Sequence, residues 1–149
     1  AQFTAAFTGA VIVWLAYKKH FDETEDKDLI LAVFSTGPAI KNTVYNFITE
    51  TIATFILLFG ALSMSDPATS LGTLNTLPVA LLVLAIGLSL GGPTGYAINP
   101  ARDLGPRLAH FILPIKNKRD SDWGYSWIPV VAPLVGALLA VLAFKVVYT

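Results

Sequence analysis

The chain has 149 residues, of which ten are basic and ten acidic, so its formal net charge is zero. Charged residues make up 13% and apolar ones 54%, roughly half the charge of an average soluble domain, and the mean hydropathy is +0.64. This is membrane-protein composition; zero net charge removes any global electrostatic case for nucleic acid, and the absence of cysteine excludes disulfides and thiolate metal sites.

Residues 3–17 are apolar but too short to cross a bilayer unaided. Small residues at Ala5 and Gly9, and at Ala6 and Ala10, suit close helix approach. Neither a methionine nor a signal peptide opens the chain, which reads as starting inside a helix of a longer protein. Lys18, Lys19 and His20 then mark an interface. No second histidine or cysteine lies near His20, so it reads as a solvated loop residue rather than a metal ligand. The charge run 22–28 reads as a solvated loop, and Gly37-Pro38 in the run Phe34-Ser-Thr-Gly-Pro38 reads as a turn.

Residues 44–64 form the first stretch long enough to span. Glu50 lies within it, and a carboxylate in a membrane helix must face the bundle interior and find donors. One reading makes it an interfacial residue near the helix start. The other makes it an anchor that accepts hydrogen bonds from loop N–H groups and leaves that loop's carbonyls free. Leu57, seven residues on, shares its face and is a candidate for a pore wall. Residues 65–76 are a polar loop with a turn at Asp66-Pro67. Residues 77–90 are a uniformly apolar span, with Gly87 and Val83 on one face. Gly87 is either a packing glycine or a gap in the pore wall.

Four glycines and three prolines fall within residues 91–107. Gly91, Gly92, Pro93 and Gly95 argue against continuing a helix. Asn99-Pro100 then reads as an N-cap followed by a proline at the first helical position, opening a half-length helix over 100–113. An extended segment feeding a half-helix between apolar spans is a re-entrant loop, tolerated only where it is buried in protein or lines a polar cavity. Beyond it come Lys116, Lys118 and Arg119, then the aromatic belt Trp123, Tyr125 and Trp127. The last span, 127–147, has a packing stripe of Ala132, Gly136 and Ala140.

The full run T-G-Y-A-I-N-P-A-R-D-L-G-P-R over 94–107 resembles the second signature loop of the aquaporin superfamily. Asp103 after Arg102 resembles the glycerol-facilitator branch. The resemblance extends over nearly the whole chain but matches only the later part of that fold. It implies an all-α membrane protein: an aquaporin-like bundle with a re-entrant half-helix, comprising one inverted repeat plus part of a preceding helix. The 149 residues would be a single channel domain incomplete at its N-terminus. Counting back from Asn99, Gly87 matches the place where water-selective members carry histidine and glycerol facilitators glycine. Pro129-Val130 resembles the facilitators' proline-aliphatic pair, and the family has a glutamate at the place of Glu50. In the third loop the family often has an aromatic where Gly37 stands. The family also puts the 22–28 loop and the loop after the half-helix outside, whereas Lys116, Lys118 and Arg119 alone vote for a cytoplasmic loop.

The implied function is a passive channel for glycerol and related small neutral solutes, together with water. It would be a homotetramer in the plasma-membrane bilayer, without cofactor, metal or catalytic residues. Gly87, Tyr96 and Arg102 would form the selectivity filter. Carbonyls of Gly95, Tyr96 and Ala97 would accept hydrogen bonds from the solute, and Arg102 would donate to it while repelling cations. Asn99, Pro100, Ala101 and Asp103 complete the signature loop, with Leu57, Val83 and Ile98 as pore wall. Asp103 and Arg107, four apart, read as an ion pair supporting the half-helix. The alternatives are a water-selective channel, against which Gly87, Asp103 and Pro129-Val130 all speak, and half of an ion-coupled transporter, for which Glu50 and Arg102 are the main candidates. A scaffold without transport is suggested only by the missing half, and a membrane enzyme lacks any clustered His, Cys or Asp set.

Overall fold

The computed structural model describes residues 1–64 and 72–148, so the Asp66-Pro67 turn lies outside the described residues. Seven α-helices follow one another: α1 (Gln2–Ala16), α2 (Lys18–Glu23), α3 (Lys27–Phe34), α4 (Thr43–Ser63), α5 (Leu77–Thr94), α6 (Pro100–Ile112) and α7 (Ile128–Tyr148), with a single 3-10 turn, Gly72–Leu74, before α5. No strand occurs among the described residues. Among the described residues three segments are long and apolar enough to cross a membrane: α4, α5 with its preceding turn, and α7.

Small residues set the helix packing. α7 buries Ile128, Ala132, Gly136 and Ala140, each four after the last, and α4 answers with Asn46, Glu50 and Thr54. A Cβ on Gly136 would lie 2.4 Å from the carbonyl oxygen of Thr51, so α4 and α7 touch backbone to backbone, as small-residue stripes allow. The same device joins α1 to α6. A Cβ on Gly105 would sit 2.9 Å from the Cβ of Ala6 and 3.1 Å from the carbonyl of Phe3.

Two expectations are corrected. The charge run 22–28 holds a loop of only three residues, 24–26, with helix on either side, since α2 ends at Glu23 and α3 begins at Lys27. Asp26 caps α3 by accepting from the N–H groups of Asp28 and Leu29 at 2.9 and 3.1 Å. The flanking Phe21, Ile30 and Phe34 are buried with Ala109, Leu113 and Ile115 under Phe7 and Trp14 of α1. Apolar anchoring on both sides of the acids therefore overrides their loop-like composition.

The second correction concerns α5, which does not stop at residue 90 but continues through Gly91, Gly92 and Pro93 to Thr94. Pro93 stands in the final turn, where it forfeits its own bond to the Ser89 carbonyl and leaves only Thr94 of the helix beyond it. The helix ends at Gly95, whose φ of +78° is the left-handed C-cap that glycine favours and whose N–H donates to the Gly91 carbonyl at 2.8 Å. The segment between the two helices is therefore short, residues 95–98, with positive φ at Gly95, Tyr96 and Ile98 rather than a continuous extended backbone, and α6 follows at once. At 13 residues α6 is about 20 Å long, short of a bilayer core.

Candidate functional site: a pinned strip beside a cavity

Asn99 begins the half-helix by accepting from the Ala101 N–H at 2.9 Å. Its Oδ1 is thus committed to the backbone, and its amide NH2 is free to donate. Pro100 occupies the first position of α6, and Ala101 is buried beneath the turn.

The strip before it is held from behind. Glu50, wholly buried on α4, accepts from the Ala97 N–H at 2.9 Å and the Thr94 hydroxyl at 2.6 Å through Oε1, and from the Ile98 N–H at 2.9 Å through Oε2. Tyr96 and Ile98 have φ values of +42° and +44°. A positive φ is costly for a bulky residue and more so for a β-branched one, by roughly 1–3 kcal/mol each. The three bonds to Glu50 hold the strip in this conformation. With the donors turned toward Glu50, no described group donates to the carbonyls of Gly95, Tyr96 or Ala97.

One cavity of about 460 Å³ collects most of the residues singled out from sequence: Leu57, Val83, Tyr96, Ala97, Ile98, Asn99, Pro100 and Arg102. Arg102 is exposed, and its guanidinium has no hydrogen-bonded partner among the described residues. Gln2, Thr54, Leu58, Pro133, Leu134 and Ala137 complete the lining. Gly95 instead lines a neighbouring hollow of about 490 Å³ with Thr36, Gly37 and Pro38.

Gly87 lies against the Tyr96 ring, as a packing glycine would, rather than beside open space. A Cβ there would lie 3.1 Å from Cζ of Tyr96, because the tyrosine ring already fills the space the missing side chain leaves. Asp103 also turns away from the cavity. Both it and Arg107 are completely buried, and Arg107 Nε and one terminal nitrogen donate to the Asp103 carboxylate at 2.8 and 3.0 Å. The remaining guanidinium bonds reach the carbonyls of Thr36 at 2.8 Å, Ser121 at 2.7 Å and Asp122 at 3.1 Å. Asp103 in turn accepts from the N–H and hydroxyl of Thr36 at 2.8 and 2.6 Å. The pair is therefore more than an i, i+4 support, since it ties two loops to the half-helix with every charge satisfied.

Sequence reasoning missed Thr94, Thr36 and Ser121 as members of these networks. The first two had a signal, because each sits inside a motif already singled out. Ser121 had none. Lys118 was likewise read only as loop charge, yet it closes the C-terminus of α6 by donating to the carbonyls of His110, Phe111 and Leu113 at 2.7–2.8 Å.

Among the described residues the fold is all-helical, and a capped half-helix meets a strained strip with free carbonyls. The model of the major intrinsic protein family matches residues 1–144, and the chain belongs to that family. It is 53% identical over 146 residues to glycerol uptake facilitator protein 3 of Lactiplantibacillus plantarum, covering 98% of this chain and 60% of that protein. It is 56% identical over 139 residues to a probable glycerol uptake facilitator of Thermotoga maritima, covering 93% and 59%. The X-ray structure of the aquaglyceroporin from Plasmodium falciparum superposes with a TM-score of 0.80 at 31% identity, covering 98% of this chain and 61% of that one. The chain thus spans about three fifths of the length of the curated relatives it matches.

Proposed function

We propose that the protein to which this chain belongs is a passive channel for glycerol and related small neutral solutes, together with water. The observation that carries this reading is the strip 95–98. The Ala97 and Ile98 N–H groups are spent on Glu50 and that of Gly95 on the Gly91 carbonyl, no described group claims the carbonyls of 95–97, and the strip runs beside the unpaired Arg102 and the Tyr96 ring. A polyol crossing such a site exchanges water's hydrogen bonds for carbonyl acceptors on one side and guanidinium donors on the other, while its carbon edge lies on an aromatic face. Because the donors and acceptors are fixed, a neutral solute passes without the site reorganising. The positive charge of Arg102 repels cations and hydronium, and the N-terminal end of α6 adds positive potential at the same place. The names borne by the Lactiplantibacillus and Thermotoga relatives favour glycerol over water alone. The closed assembly is a homotetramer with one pore per subunit, in the plasma membrane.

Reconstituted vesicles of the whole protein test this. After an osmotic step with glycerol, shrinkage reports water and re-swelling reports glycerol. Re-swelling well above that of protein-free vesicles, linear in concentration and indifferent to ion gradients, is expected. Saturable flux that follows an ion gradient would overturn the reading in favour of a coupled transporter.

A further inference from the structure

We infer that Gly91, outside the residues assigned to the filter, is a positioning residue that sets the filter's width by giving the Tyr96 ring a seat on α5. Gly87 and Gly91 are one turn apart and present bare backbone on one face. The tyrosine ring lies across both: a Cβ on Gly91 would be 2.8 Å from its Cδ1 and 3.3 Å from its Cε1, and one on Gly87 would be 3.1 Å from its Cζ. The Gly91 contact is the tighter and falls at the base of the ring, the end that side-chain rotation moves least. The backbone that carries the ring cannot yield either. Tyr96 is held at φ +42°, between the Gly95 cap and the Ala97 N–H that Glu50 binds at 2.9 Å. Gly91 itself is fixed inside α5, its carbonyl accepting from Gly95 at 2.8 Å.

A methyl group at position 91 therefore has one outlet. Ordinary carbon–carbon contact requires about 3.5 Å or more, so the ring must move by about 0.7 Å from the 2.8 Å position. The movement is away from Gly91, and because Tyr96 lines the cavity together with Val83 and Arg102, displacing its ring changes the outline of that cavity. The solute path is narrowed on its aromatic side without any change to a residue that touches the solute. A molecule with a carbon backbone is affected more than water, which needs less room.

This inference rests on the channel reading, and a double-substitution cycle separates the two. Gly91→Ala in the whole protein should lower glycerol permeability about tenfold, an added barrier of about 1.4 kcal/mol, with a much smaller fall for water. In a Tyr96→Ala background the same substitution should leave glycerol permeability unchanged, because the ring it displaces is gone. The melting temperature in detergent gives a readout independent of transport: Gly91→Ala should lower it when Tyr96 is present and not when position 96 is alanine. If Gly91→Ala fails to insert, recovery of insertion in the double variant supports the seat, and continued failure overturns it. Equal losses in both backgrounds, in flux or in melting temperature, also overturn it. If wild-type vesicles show no glycerol flux, the channel reading fails, and the melting cycle still decides the seat.

Discussion

Glu50→Gln is the most informative perturbation of the strip. The carboxylate now accepts three hydrogen bonds, two through Oε1 and one through Oε2. Glutamine has the same shape but only one acceptor oxygen. With that oxygen serving Thr94 and Ala97, its NH2 group faces the Ile98 N–H, donor against donor. One hydrogen bond to a charged group is lost, worth about 1.5–3 kcal/mol, and the strain at Ile98, whose φ is +44°, pulls in the same direction. A loss of about 2 kcal/mol shifts the equilibrium toward a relaxed strip by about 30-fold. α4 itself keeps its packing, because α4 meets α7 through the carbonyl of Thr51 and Gly136. The expected result is a protein that inserts and assembles normally but re-swells with glycerol at least about tenfold more slowly. Stopped-flow light scattering on vesicles normalised for protein content measures this. Wild-type glycerol flux through a correctly assembled Glu50→Gln protein would refute the view that the strip must be pinned to conduct.

Three further outcomes follow from the geometry. Asp103→Asn leaves Arg107 charged and completely buried, a loss of about 3–5 kcal/mol, so thermal unfolding in detergent should shift strongly downward, with flux falling only as folded protein is lost. Gly87→His must push aside the Tyr96 ring, 3.1 Å from the Cβ position; glycerol permeability should fall much more than water permeability in the same vesicles. Arg102→Val touches no hydrogen bond of the fold, so melting is expected to be unchanged while cation or proton leak, read with a pH dye inside the vesicles, rises.

Much of this site follows from local chemistry. Asn followed by proline suits a helix start, with the cap and the first position both filled, and Asn99 caps α6 through the Ala101 N–H. A carboxylate inside an apolar span must find donors, and Glu50 has three. What local reasoning could not supply depends on partners distant in sequence. Gly91-Gly92-Pro93 has the composition of a helix breaker, yet α5 continues because the proline falls in its last turn and Gly95 terminates it. Gly87 reads as either a packing glycine or a gap until Tyr96, nine positions later, is seen to occupy its face. The acids around Asp26 conceal a helix cap, because the apolar cluster that makes α3 helical is completed by residues of α1 and α6. Asp103 and Arg107 suggest each other at four-residue spacing, but nothing in that spacing names Thr36 or Ser121.

Where the solute sits is the most direct test of the channel. A diffraction map of the whole protein grown in glycerol should show a molecule between the Tyr96 ring and Arg102, with hydroxyl oxygens about 2.6–3.2 Å from the guanidinium and from carbonyls of the strip 95–97. Strip carbonyls closed off by protein donors, with glycerol ordered elsewhere and none beside Arg102, would contradict it.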